Sequence, residues 1–156
     1  MSVWKCIVQP KLVSQLWSPS NQANIAKLEN VLRNFTSKID GCENMDFWDR
    51  LTNLRLYSQE RRRERYQIIL CWKISQGMVD GYSLPFTNNP RRGRLAVISG
   101  YQNKAPAVVR NAREASFSVK GAKLFNLMPQ GLRDLNSVNP DIFKTNLDAF
   151  LSGIRD

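Results

Sequence analysis

Histidine is absent from the 156 residues of this chain. Histidine is the commonest general base near neutral pH and the commonest metal ligand, so its absence excludes most catalytic triads and most zinc sites. Only three cysteines occur, Cys6, Cys42 and Cys71, and they are too scattered for a disulfide framework or a cysteine zinc site. Since no signal peptide is evident, we expect reduced thiols and an intracellular protein of the nucleus or cytoplasm.

Long apolar runs and catalytic motifs are also missing. The longest apolar run, 68–72, is far shorter than the roughly 20 residues that span a bilayer, so we expect no membrane partner. The chain has no glycine-rich phosphate loop and no Gly-X-Ser-X-Gly elbow. Asp46 and Asp49 share a helical face, but acidic residues at a helix start explain them better than a metal pair. We expect no catalytic residue, no cofactor and no metal site.

Acidic residues are scarce relative to basic ones: 13 Asp and Glu against 23 Lys and Arg give a net charge of +10. The excess is concentrated in the middle of the chain. Residues 60–113 hold eleven basic and three acidic side chains, a net +8, whereas 1–59 hold seven and five and 114–156 hold five and five. A basic middle favours polyanionic partners, with nucleic acid ahead of a membrane surface.

The apolar residues predict one mostly α-helical domain over residues 1–156, an irregular helical bundle with one long basic loop. The length is sufficient to bury a real core. We expect helices at about 3–17, 21–39, 46–55, 58–77, 117–127 and 140–152. The helix at 21–39 has the clearest helical period, with an apolar face that should pack: Ile25, Leu28, Val31, Leu32, Phe35 and Ile39. The last helix carries strong start signals in Asn139 and Pro140.

The helix at 58–77 is the most unusual element of the sequence. Ser58 is its predicted N-cap, and Gly77 lies just past its predicted end. The second half is apolar nearly all round and should be buried. The first half carries four arginines against two glutamates, should reach water, and places cations where the helix dipole disfavours them.

Residues 78–113 read as a long basic loop, because glycines and prolines interrupt every candidate helix. We expect short extended pieces at most, at 95–99 and 107–110. A loop of this length in a compact domain is usually functional or disordered.

Two arginine clusters are the candidate nucleic-acid-binding residues: Arg61, Arg62 and Arg65 in the helix, and Arg91, Arg92 and Arg94 in the loop. Arginine forks match phosphate oxygens, and neither cluster resembles a base-reading motif, so binding should be independent of sequence. The alternatives are helical pairs with Glu60 and Glu64 for the first cluster and a solvated loop for the second. The four tryptophans could stack on unpaired bases, but core positions are commoner for such residues: Trp4, Trp17, Trp48 and Trp72.

Several short sequence motifs of this chain occur together in a known family. They are VQPKL at 8–12, SQLWSP at 14–19, LENV at 28–31, FTSKI at 35–39, WDRL at 48–51, Leu56-Tyr57-Ser58, RRRERY at 61–66, WKI at 72–74, SFSVKGAKLFN at 116–126, MP at 128–129 and FKTNLDAFL at 143–151. In this joint pattern the chain resembles the region just after the polymerase palm in reverse transcriptases of non-LTR, LINE-type retrotransposons. Residues 79–112 match least.

The resemblance implies a helical thumb at 1–77 and a C-terminal extension at 114–156, which in that family grip an RNA or DNA template and primer. The metal-binding aspartates of the family lie upstream, in a motif that this chain does not contain. We therefore expect a non-catalytic, nucleic-acid-handling piece of a polymerase. The rival hypothesis is a structural or interaction protein, a helical remnant whose apolar faces recruit a protein partner or self-associate.

Overall fold

A computed structural model of the protein describes residues 21–98 and 105–154. Within these residues the chain has seven helices and one pair of short antiparallel strands. The predicted mostly α-helical fold class is therefore confirmed, whereas the helix predicted at 3–17 lies outside the described residues. The chain divides into two compact units, the first ending at Tyr66 and the second beginning at Gln67.

The elements follow one another along the chain as α1 Gln22–Thr36, α2 Phe47–Asn53, α3 Gln59–Ser75, β1 Phe86–Asn89, β2 Gly93–Ala96, α4 Ala107–Glu114, α5 Phe117–Leu127, α6 Gln130–Arg133 and α7 Pro140–Ser152. The unit boundary falls within α3, whose basic half belongs to the first unit and whose apolar half belongs to the second.

The core of the first unit forms where α1 meets α2. Leu32 of α1 packs with Phe47 and Leu51 of α2 and with Leu56, which follows that helix. Helix α1 begins where the side chain of Asn21 accepts the amide of Ala23, and it ends at Thr36, three residues before the predicted end. Only a narrow stripe of α1 is covered, because the short α2 contacts one side of it.

Consequently the predicted apolar face of α1 packs only in part. Ile25 and Leu32 are buried, but Val31 is exposed, which corrects the expectation that the whole face is covered. Val31 lies about 100° around the helix from Leu32, outside the stripe that meets α2.

The two predicted ends of α3 are confirmed. Ser58 Oγ accepts a hydrogen bond from the amide of Arg61 at 3.0 Å, as an N-cap does. At the other end Gly77 has a φ of +68°, and its amide bonds to the carbonyl of Ile74 while the amide of Met78 bonds to that of Lys73. This pair of bonds is the Schellman arrangement, which requires the left-handed conformation that glycine adopts without strain.

The core of the second unit contains the apolar half of α3. Trp72 is fully buried and stacks on Phe143 of α7, with ring centroids 4.3 Å apart and planes 7° apart. Its indole Nε1 donates to the carbonyl of Leu135 at 3.0 Å, which satisfies the one polar group of the side chain. Burial of the second half of α3 is thus confirmed.

The C-terminal helices agree closely with the sequence. Helix α5 has the predicted bounds, and α7 begins at Pro140 with the side chain of Asn139 accepting the amide of Asp141 at 2.8 Å. The short helix α6 lies between them, at Gln130–Arg133.

The prediction for 78–113 is wrong in two places, although the extended piece expected at 95–99 overlaps strand β2 at Leu95 and Ala96. Strands β1 and β2 form a hairpin, paired in the register Phe86↔Ala96 to Asn89↔Gly93. Residues 107–114, expected as an extended piece and loop, form helix α4 instead. Pro106 does not prevent this helix, because proline is well tolerated next to a helix start, where its missing N–H has no intrahelical acceptor.

Among the described residues, no helix combines the length and the apolar content needed to cross a bilayer.

Candidate nucleic-acid interface

The loop arginines lie in and beside a fixed turn, which we call the basic turn (residues 89–93). The amide of Arg92 bonds to the carbonyl of Asn89 at 3.2 Å, and Gly93 follows with a φ of +71°. A turn with asparagine first, proline second and glycine fifth is a common hairpin connection, in which the glycine takes the left-handed position. Asn89 Oδ1 also accepts the amides of Arg91 and Arg92, at 2.9 and 3.0 Å.

The side chain of Asn126 joins the hairpin to α5. Its Oδ1 accepts the amide of Ala96 at 2.8 Å, and its Nδ2 donates to the carbonyl of the same residue at 2.9 Å. The amide group therefore pairs with β2 as a neighbouring strand would, which satisfies backbone groups at the inner edge of the hairpin.

Two neighbouring residues at the end of α6 hold the turn itself. Arg133 is 5% exposed, and its guanidinium donates to the carbonyls of Asn126 and Met128, at 2.7 and 2.9 Å, and to that of Arg92. The carboxylate of Asp134 accepts the amide of Arg94 at 2.8 Å. It lies so close to Gly93 that an added Cβ there would be 2.7 Å from Asp134 Oδ1. The backbone of the basic turn is thus held by side chains from outside the hairpin.

The basic turn presents two of its arginines to solvent. Arg91 and Arg92 are exposed, and no Asp or Glu of the described residues forms an ion pair with either guanidinium. Arg94 differs from them, because its side chain is half-buried and lies 3.5 Å from Ser75 Oγ. Of the three predicted loop arginines, the structure brings Arg91 and Arg92 together in one accessible place.

The helix cluster belongs to the first unit, at the start of α3. Here the amide of Glu60 donates to Glu29 Oε1 of α1 at 2.8 Å, so a carboxylate lies at the helix N-terminus. A negative charge at this end interacts favourably with the helix dipole and offsets the unfavourable arginines. Arg61 pairs with Glu64 at 3.6 Å, as the helical-pair alternative predicts for that residue.

The expectation that this half of α3 reaches water is wrong for two of its arginines. Arg62 is 8% exposed and Arg63 4%, while Arg61 and Arg65 are half-buried. Arg62 lies over the ring of Tyr66, with Cζ 5.3 Å from the centroid. Successive helical residues point about 100° apart, so a run of arginines cannot keep every side chain on the solvent side.

Among the other candidate groups, Trp72 and Asp46 have structural roles, whereas Trp4 and Trp17 lie outside the described residues. Of the tryptophans in the described residues, Trp72 is in the core and Trp48 is 38% exposed with its ring 5.0 Å from that of Phe47. Asp46 is the N-cap of α2, where it accepts the amide of Trp48 at 3.1 Å, and Asp49 lies in the first turn. In residues 21–98 and 105–154, no three Cys, Asp or Glu side chains are close enough to hold a metal ion.

Sequence reasoning missed the residues that support both clusters: Glu29, Asn126, Arg133 and Asp134. The order Asn89, Pro90 and Gly93, between the apolar residues of two short strands, was the signal for the hairpin. The four supporting residues had no local signal, since each acts on a segment at least five residues away and mostly about 30 or 40 residues away.

No protein-family model, no curated protein and no solved structure matches this chain.

Proposed function

We propose that this protein binds the phosphate backbone of nucleic acid without sequence preference, and that the basic turn is its main contact. The observation that carries the proposal is the pair of exposed arginines, Arg91 and Arg92, in a turn whose backbone is already fixed. Two adjacent guanidinium groups that have no carboxylate partner within 21–98 and 105–154 are suited to bind phosphate oxygens bidentately. A preformed turn also lowers the entropy lost on binding.

The helix cluster has a smaller part in this proposal. Arg61 and Arg65 are half-buried, and Arg62 is almost fully buried, so less of each guanidinium is available to a phosphate. Among the originally predicted residues, we therefore rank Arg91 and Arg92 above Arg94, Arg61 and Arg65, and we place Arg62 last.

The resemblance to the post-palm region of LINE-type reverse transcriptases gives the proposal a context. In that context the protein is a non-catalytic piece that holds an RNA or DNA template and primer. The proposed contact differs from the expected one, because it lies in the segment that resembles the family least.

The test is a salt titration of binding to a 20-base-pair DNA duplex, to an RNA–DNA hybrid of the same sequence and to the single strands. For the wild-type protein we expect the affinity to fall steeply with salt and to vary little with base sequence. The R91Q/R92Q variant should reduce the slope of log K against log salt by about 2, because two phosphate contacts are lost.

A matched control is K27Q/K38Q, which removes the same charge from exposed lysines elsewhere in the chain. We expect this control to leave the slope nearly unchanged. Absence of binding at low salt, or equal losses in the two variants, would show that the basic turn is not a nucleic-acid site.

A second candidate function, self-association or protein binding, is favoured by helix α4. This helix has no buried residue, and Val108 and Val109 are 79% and 52% exposed. Glu114 pairs with Lys123 of α5, and at 100° per residue Val108 and Ala112 lie on the side of α4 away from Glu114. An apolar stripe directed away from the helix next to it is typical of an interaction surface.

Sedimentation mass at several concentrations distinguishes this candidate. If α4 mediates self-association, the mass should rise with concentration, and V108S/V109S should abolish the rise. L127S, which changes another highly exposed apolar residue, is the control and should have no effect. A constant monomer mass would eliminate self-association through α4.

A further inference from the structure

Arg133 makes an unusual set of contacts for a buried arginine. All three hydrogen-bond acceptors around its guanidinium are backbone carbonyls, those of Asn126, Met128 and Arg92. No carboxylate of the described residues forms an ion pair with it. The neighbouring Asp134 instead accepts the amide of Arg94. Burial of a charge without an opposite charge is costly, and the three carbonyl contacts offset this cost only in part, because Nε of Arg133 is buried without a hydrogen-bond partner among the described residues.

The three carbonyls come from two different parts of the second unit. Those of Asn126 and Met128 lie at the end of α5, where arginine side chains commonly satisfy the last helical carbonyls. The carbonyl of Arg92 belongs to the basic turn. Nη1 holds the helix end and Nη2 holds the turn, so one planar group fixes the distance and angle between them.

We propose that Arg133 is the positioning residue of the basic turn: it fixes the Arg92 backbone so that Arg91 and Arg92 are displayed for a phosphodiester. This inference rests on the proposed function. Asn89 holds the amides of Arg91 and Arg92 from within the hairpin, and Arg133 holds the Arg92 carbonyl from outside it. The amides of Arg91 and Arg92 and the carbonyl of Arg92 are thereby held in place before a ligand binds.

The alternative is that Arg133 only caps α5. In that case its loss would weaken folding, and binding would change no more than the loss of one distant charge predicts. The two roles differ in their coupling to Arg91 and Arg92, because a positioning residue loses its effect once the residues that it positions are gone.

The experiment is a double-mutant cycle in the full chain, with R133M, R91Q/R92Q and the combined variant, measured on the 20-base-pair duplex over a salt series. At 0.1 M salt, loss of two phosphate contacts corresponds to an affinity loss of about 60-fold. We expect R133M to reduce the affinity by most of this 60-fold factor and to reduce the slope of log K against log salt by about 2. Adding R133M to R91Q/R92Q should change the affinity less than threefold.

R133K keeps the positive charge but lacks the second nitrogen of the fork, so it separates charge from geometry. We expect R133K to lose as much of the salt slope as R133M, with circular dichroism and thermal melting showing that both variants are folded. If R133M does not fold, R133K takes its place in the double-mutant cycle with R91Q/R92Q.

Full binding by R133K, or additive losses in the cycle, would overturn the positioning role while the proposed function stands. If the wild-type protein binds none of the nucleic acids at low salt, the proposed function fails and the positioning role fails with it.

Discussion

The two arginine-rich regions of this protein place the same side chain in different environments. At the start of α3 in the first unit, two of the four arginines are buried and a carboxylate from α1 lies at the helix N-terminus. In the hairpin of the second unit, Arg91 and Arg92 are exposed, and the buried arginine beneath the turn comes from α6. The density of arginines along the sequence is similar in the two regions, but the exposure of their guanidinium groups is not.

The difference follows from backbone geometry. A helix rotates by about 100° per residue, so any run of four residues points in every direction and some must face the covered side. A turn between two strands protrudes from the structure, and adjacent residues there can both face solvent. Arginine runs in turns are therefore better candidates for polyanion binding than equal runs in partly buried helices.

The largest expected effect on stability comes from replacing one buried arginine in each region by methionine, Arg133 in the second unit and Arg63 in the first. R133M should lower the free energy of unfolding by about 3 kcal/mol, because three backbone carbonyls lose the Arg133 donor. R63M should change it by less than about 1 kcal/mol or increase it, because Nη2 of Arg63 is buried without an acceptor among the described residues. Urea denaturation of both variants measures the two values.

Equal destabilisation by R133M and R63M would show that the buried arginines of the two regions are held in the same way, and the comparison would fail.

A smaller effect is expected when the turn glycine is replaced. G93A should destabilise the protein by about 2 kcal/mol, because alanine is strained at a φ of +71° and its Cβ would overlap the Asp134 carboxylate. The control is G81A, whose φ of +72° is similar but whose added Cβ meets no atom within 4 Å. We expect about 1 kcal/mol there, from strain alone.

Thermal melting of the two glycine variants is the measurement. If they lose equal stability, contact with Asp134 does not fix the turn.

The smallest effect concerns Cys71 in the apolar half of α3. Burial raises the pKa of this thiol from 9.0 to about 12. The folded state therefore keeps the proton after the unfolded chain has lost it, so the stability from this group is complete below pH 9 and declines as pH rises toward 12. Between pH 8 and pH 10 the wild type should lose about 1.4 kcal/mol more than C71A. Urea titrations at the two pH values test this, and identical losses would contradict it.

Cys71 also sharpens the contrast along α3. A guanidinium remains charged when buried because its pKa is too high to titrate, whereas a buried thiol stays neutral.

Much of the fold could be predicted from local signals. Ser58 and Gly77 mark the two ends of α3, and Asn139 and Pro140 mark the start of α7. The apolar period predicts the bounds of α5. Each of these signals acts within one or two turns of its own helix, so it can be recognised in the sequence. The hairpin was not predicted although its turn residues follow a known pattern, because glycine and proline interrupt helices in loops as well as in hairpin turns. Helix α4 was not predicted; none of its residues is buried, so it has no packed face of the kind that marks the other helices.

The candidate site likewise has a part that the sequence predicts and a part that it does not. The sequence indicated Arg91 and Arg92 by charge alone, but it gave the same weight to Arg62, which is buried, and to Arg94, which is half-buried. Accessibility depends on the packing around each side chain, and packing is not a local property of the sequence.

The sequence by itself determined the helical class, most helix ends, the basic middle and the absence of histidine chemistry, because these depend on composition and on neighbours within a few residues. Only the tertiary structure decided that Glu29 meets the start of α3 and that Arg133 and Asp134 hold the basic turn. These contacts join residues about 30 to 40 positions apart, and only folding brings them within hydrogen-bond distance.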